Sequence, residues 1–377
     1  MNGTASPNSV QDVDSVFFAA EHLSSGRHSI GPIAPSAYNE MMTDLDLRRA
    51  DWLRATGTRT WAGPAWLEMH ANTEGPWTPP DKFISSLEHL GQVRNDLLAV
   101  IYDSNQLTFP AATAALATHL EACSPREIQL HLLHCGIIPE TFAHSGTEEK
   151  LFAKASDIIV ARAFHYMGLR TAVLTRRNGE ADVRASSATY ALVADAKAFR
   201  LSRSARSPKD FKISALSGWR GDHDYALIIA PRDQYPAHQS AIYEEARAHH
   251  VSLLSFAHLL ALTHLVHEAG PEQLSRFFAG FRAKSEATSA PDYWRLVDAL
   301  FTAIPDGAST LSAAQEADGE SRAIVCQREL DFLRLEQERL ETLTRDELLS
   351  LLRASKGLQQ RIQSLTRLPI VKADRDL

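Results

Sequence analysis

Between Leu169 and Phe256 the strand patterns are spaced in two ways, and that spacing limits the folds open to the chain. Three β patterns crowd together: LRTAVLTRR (169–177), ADVRASS (181–187) and TYALVADAKAF (189–199). The gaps between them suit hairpins and are too short for a crossover, so antiparallel pairing is expected. Two more follow, DYALIIAP (224–231) and VSLLSF (251–256), separated by the helical pattern QSAIYEEARAHH (239–250). A helix-length connection permits parallel pairing. Helical patterns flank the set, KLFAKASDIIVARAFHYMG (150–168) before it and AHLLALTHLVHEAG (257–270) after it. The expected architecture is α/β with an α+β character: a mixed sheet flanked by helices.

Local signals mark boundaries. Ser145 and Glu148 have the S-x-x-E spacing of a capping box, and Gly168 is a natural stop for the helix between them. Thr344 and Glu347 repeat the capping pattern near the C-terminus. Tandem Pro79-Pro80 divides an N-terminal extension (1–80) from a main domain (81–304) whose core spans about 145–268. The turn-rich PDGASTLSAAQEADGE (305–320) leads into a C-terminal helical region, 305–377, expected to pack on the main domain.

Within this frame three charges need explaining. Asp182, Asp195 and Lys197 lie in or beside otherwise apolar strand patterns. Residues i and i+2 of a strand share a face, so Asp195 and Lys197 point the same way. A hairpin turning at Ser187-Ala188 sets residue 182 opposite residue 193 and makes Asp182 a diagonal neighbour of Asp195. Two carboxylates so placed repel, and a divalent cation removes the conflict. Mg²⁺, with Mn²⁺ as a possible substitute, takes such hard oxygen ligands together with phosphate oxygens. A lysine alongside can hold an attacking water or stabilise charge growing on a phosphate. Glu148 and Glu149 open the preceding helix and offer a third acid; Glu148 suits a cap, while Glu149 could reach toward the site.

A bare [D/E]-x-K recurs by chance, and a solvated ion pair on an edge strand is its competing explanation. The hairpin-spaced aspartate and the apolar strand context weigh against that explanation. So does the charge that follows. The chain carries a formal net charge of −7, which alone argues against a general nucleic-acid binder. Yet residues 182–220 hold eight basic residues against three acidic ones, a local net of +5. Arg203, Arg206, Lys209 and Lys212 lie in this stretch as candidates for phosphate contact, with a solvated loop as the alternative.

The segments EEKLFAKASDI, ADV, LVADAKAFRLSRSARSPKDFK, ALSGWRGDHDYA, APRDQYP and SLLSFAHLLAL occur in this order. Together they resemble the HindIII-like type II restriction endonucleases, from about residue 85 into the C-terminal helices. The resemblance implies a PD-(D/E)xK nuclease fold, a homodimer and Mg²⁺-dependent cleavage of both strands of palindromic double-stranded DNA. It assigns metal-binding acids to Asp182 and Asp195, the catalytic lysine to Lys197 and the helix acid to Glu149. It further implies an AAGCTT site cut after the first adenine. Ala181 stands where the general motif has proline. A non-cleaving or structure-specific DNA-binding protein on the same fold is the alternative.

Other classes find no support. There is no G-x-G-x-x-G, Walker or G-x-S-x-G motif, and so no sign of a nucleotide cofactor or a serine hydrolase. His131, His134 and Cys135 in HLLHC, with His144 nearby, are not followed by a second pair at zinc spacing, so a helix with partly buried histidines is expected. No apolar run reaches the roughly 18 residues of a membrane-spanning helix. The N-terminus lacks signal-peptide features, and three widely spaced cysteines suit a reducing cytoplasm.

Overall fold

The three crowded patterns pair as hairpins, and the later two add parallel strands. A computed structural model describes residues 66–69, 76–175, 180–203, 208–236, 240–283 and 289–355, all within one compact unit, Arg59–Leu377. The strands are β1 (Trp66–Met69), β2 (Arg170–Leu174), β3 (Val183–Ser186), β4 (Ala191–Ala196), β5 (Tyr225–Ile229) and β6 (Val251–Leu254). The first helices are α1 (Phe83–Ser86), α2 (Leu90–Ser104), α3 (Phe109–Ala122), α4 (Pro125–Leu132) and α5 (Thr147–Tyr166). There follow α6 (Ile213–Arg220), α7 (Ala241–Ala248), α8 (Phe256–Ala269), α9 (Glu272–Ala283), α10 (Ala290–Phe301), α11 (Gly307–Thr342) and α12 (Arg345–Ser355).

The six strands form one sheet in chain order. β1 to β4 are antiparallel, and β4, β5 and β6 are parallel, joined through α6 and α7. This is the expected mixed sheet flanked by helices. α5 packs across β2, β3 and β4, while α6 lies against β4 and β5. Every residue of β5 is buried, as befits a strand with neighbours on both sides and layers on both faces.

The details depart from the sequence reading at three points. The β3–β4 hairpin pairs Val183 with Ala194 and Ser186 with Ala191, so residue 182 faces 195 rather than 193. The turn is equally tight but sits one residue later, at Ala188-Thr189: the Ser187 N–H donates to the Tyr190 carbonyl at 2.9 Å, and the Ser187 hydroxyl accepts from the backbone N–H groups of Thr189 and Tyr190. A shift of two residues leaves every side chain on its face, so Asp182 and Asp195 become direct cross-strand neighbours. The second departure is at the start of α5, which is capped by Gly146 without a side-chain bond. Ser145 takes φ +60° and donates its backbone N–H to Glu149 at 3.0 Å, so no Ser145–Glu148 capping box forms. The third is β1, which falls within the 1–80 segment and pairs with β2. A four-residue strand among Trp, Gly and Pro carries too little alternation to be read.

Other signals hold. Gly168 ends α5 at φ +86°, a conformation that favours glycine. Thr344 and Glu347 form their capping box, with the Thr344 N–H 2.8 Å from the Glu347 carboxylate. The first part of α11 buries Leu311, Ala314, Ala317, Ser321 and Val325 at helical spacing, and it packs on α8.

Candidate active site

A strand sends alternate residues to one side, so Asp195 and Lys197 emerge together beyond the apolar stretch of β4. The Lys197 ammonium lies 2.5 Å from Asp195 Oδ2. Asp182, one residue ahead of β3, sits opposite Asp195 by continuation of the Val183–Ala194 pairing. The helix above supplies a third carboxylate, and it is Asp157. Oxygens of Asp157, Asp182 and Asp195 all lie within 4.8 Å of one another. Asp157 Oδ1 also accepts the Ala196 backbone N–H at 3.3 Å, which fixes α5 against β4. Lys154, one turn earlier on α5, places its ammonium 2.5 Å from Asp182 and 2.8 Å from Asp157.

Burial divides these groups. The side chains of Asp157 and Asp195 are 7% and 4% exposed, whereas that of Asp182 is 35% exposed and forms the open side of the cluster. Burial, reinforced by the neighbouring carboxylates, pushes the Asp157 carboxyl up to about 8. Burial also raises Asp195, against the opposing charge of Lys197. Lys154 and Lys197 are displaced upward because their carboxylate partners outweigh the effect of burial. With a proton on Asp157, two carboxylates balance two ammonium groups. The donor set is all hard oxygen, and two of its members are held in low dielectric with no excess positive charge. These residues fit a divalent cation of the Mg²⁺ class.

Glu149 lies two turns before Asp157 on α5, about 12 Å along the helix axis, and does not join the converging carboxylates. Arg200 engages it at 2.7 Å, and this contact with the Ser145 N–H holds its carboxyl below the usual range despite partial burial. Arg200 also donates to the carbonyls of Pro139 and Phe142. Glu149 thus ties the segment after β4 to the start of α5. Asp157 and Lys154 were missed in the sequence. Their only signal is an i, i+3 charge pair interrupting the apolar run of a helix that must cover a sheet.

The basic candidates follow β4. Arg203 pairs with Asp210, and its guanidinium lies 4.2 Å from the Phe199 ring centroid. Lys209 is exposed on a 3₁₀ turn, Pro208–Asp210. Lys212, also exposed, precedes α6 in the left-handed region at φ 49°. Arg206 lies outside the described residues. No described helix is long and apolar enough to cross a membrane.

Comparison with known proteins agrees with this arrangement. The HindIII restriction endonuclease family matches residues 98–368, which include every residue of the cluster. The type II restriction enzyme HindIII of Haemophilus influenzae is 42% identical over 171 residues, covering 45% of this chain and 57% of that enzyme. The match therefore spans little more than half the length of that relative. With the family matched over most of its length, the chain belongs to the HindIII restriction endonuclease family.

Proposed function

We propose that the protein is a type II restriction endonuclease that hydrolyses phosphodiester bonds in both strands of double-stranded DNA with Mg²⁺. The observation that carries this reading is the convergence of Asp157, Asp182 and Asp195 beside Lys197 in a chain of this family. Asp182 and Asp195, joined by Asp157, would hold the ion. When bound, the ion supplies Lewis-acid polarisation of the scissile phosphate.

The chain's own groups do the rest. Lys197 keeps its proton beside Asp195 and presents a fixed positive charge where the phosphate becomes more anionic, and it can orient the attacking water. Asp182, on the open side, faces the incoming backbone. Lys154 holds Asp157 and Asp182 in place before the substrate arrives. Glu149 acts one layer out, by fixing Arg200 and the chain that follows β4.

Arg203, Arg206, Lys209 and Lys212 are proposed to contact DNA. Phosphate contacts would set affinity and register, and base-edge contacts would set sequence. A two-fold homodimer suits a palindromic site, one half to each subunit. The site implied by the sequence resemblance, AAGCTT cut after the first adenine, is the proposed specificity.

Asp182→Asn tests the assignment. It keeps the shape and removes the charge, so cleavage in Mg²⁺ should fall by at least a hundredfold while DNA binding, measured by mobility shift, stays within a few-fold of wild type. Equal loss of binding and cleavage would assign Asp182 to folding. Unchanged cleavage would remove it from the active site.

A further inference from the structure

A second group of metal-ligating side chains lies apart from the carboxylates. His119 and Cys123, four residues apart at the C-terminal end of α3, meet His131 of α4. One ligand atom from each lies within 4.8 Å of both others. The upstream partner for HLLHC is therefore H-x₃-C, and it precedes the motif instead of following it.

An unpartnered buried ring nitrogen, His119 Nε2, distinguishes this cluster from ordinary core histidines, and the Cys123–His131 contact, a thiol–imidazole hydrogen bond in the metal-free protein, has a length a metal can take over. Cys123 Sγ and His131 Nε2 are 3.8 Å apart. Zinc bonds of about 2.3 Å to sulfur and 2.0 Å to nitrogen, at a tetrahedral angle, separate those two atoms by about 3.5 Å. The other ring nitrogen of His131, Nδ1, is 3.1 Å from His134 Nε2. A metal-bound imidazole is usually oriented in this way, by a hydrogen bond from its far nitrogen to an outer partner. His119 Nε2 is buried and has no hydrogen-bond partner among the described residues. Cys123 and His131 are buried.

We propose that His119, Cys123 and His131 bind a divalent ion of the zinc class, with water completing the shell. The site is distinct from the carboxylate cluster, whose all-oxygen donors suit a harder ion. It would clamp α3 to α4. The end of α3 is already tied to α5, because Tyr166 donates to the Cys123 carbonyl at 2.9 Å and Arg162 to that of Glu121 at 3.2 Å. The ion is thus a staple for the helices packed outside α5, and the Cys123 thiol releases its proton when the ion enters.

The probe is Co²⁺ added to the full chain carrying Cys326→Ser, which removes the exposed thiol. Thiolate–cobalt charge transfer absorbs in the near ultraviolet, and carboxylate ligands produce no such band. One Co²⁺ per chain with this band, displaced by Zn²⁺, is expected, together with a Zn²⁺-dependent rise in melting temperature. Cys123→Ser should abolish the band. His119→Gln, at a position only partly buried, should weaken binding at least tenfold while preserving the fold. Asp182→Asn should leave both signals intact. Absence of the band, its persistence in Cys123→Ser, or a Zn²⁺ stabilisation unchanged by His119→Gln would overturn the proposal.

Discussion

Lys154 serves two carboxylates at once, and it does so because a third lies too close for all to stay ionised. Asp157 is the member that keeps its proton, since it is buried and faces both Asp182 and Asp195. The sign of the pH effect follows. A carboxyl titrating near 8 in the folded chain and near 4 when unfolded gives the native state one more proton between those values. Stability of the metal-free protein should therefore fall as pH rises from about 4 to about 8, all else equal. Thermal melts in EDTA should show this fall, and Asp157→Asn should flatten it. Added Mg²⁺ should reverse it, because the ion takes the proton's place. Identical pH slopes for wild type and Asp157→Asn would remove Asp157 from this role. Asp182, Asp195 and Lys197 were legible because a strand's period of two is a local signal. Asp157 was not legible, because a helix position becomes meaningful only once the sheet beneath it is known.

At the scale of elements, the β3–β4 hairpin shows how an imprecise register can still give the right face. Ser187 fixes the turn one residue later by side-chain bonding that the strand pattern does not encode, and the resulting register shift is even. The order of strands and helices was legible for the same reason the fold class was: connection length separates hairpins from crossovers. The anchoring of α11 was not legible, since its decisive contact spans more than two hundred residues. Arg94 of α2 pairs with Glu329 at 2.8 Å, both nearly buried, and the other Glu329 oxygen accepts the Glu140 N–H at 2.8 Å. Arg94→Met leaves that carboxylate buried without its cation, which should destabilise the protein by about 3–5 kcal/mol. Pairing it with Glu329→Leu should recover much of the loss. Chemical denaturation of the three variants measures this, and a loss below about 1 kcal/mol for Arg94→Met would show that the pair is effectively solvated.

Across the whole molecule, a chain of net charge −7 is proposed to bind a polyanion through one local reversal of sign. Attraction confined to the segment after β4 makes binding depend on few contacts, and the salt dependence should scale with their number. If Lys209 and Lys212 each neutralise one phosphate, replacing either with glutamine should weaken binding similarly on any sequence. It should also lower the slope of log K against log salt by about 1. A change confined to the cognate site would make the residue a reader of bases. An unchanged slope would leave it as solvated surface. The most direct test of the central claim is a digest of unmethylated phage DNA with and without Mg²⁺, followed by sequencing of the fragment ends. Discrete fragments that require Mg²⁺ and carry AGCT overhangs are predicted. Discrete fragments with other ends would keep the nuclease and discard the proposed site. Intact DNA in both Mg²⁺ and Mn²⁺ would contradict the assignment of hydrolysis to the cluster of Asp157, Asp182, Asp195 and Lys197.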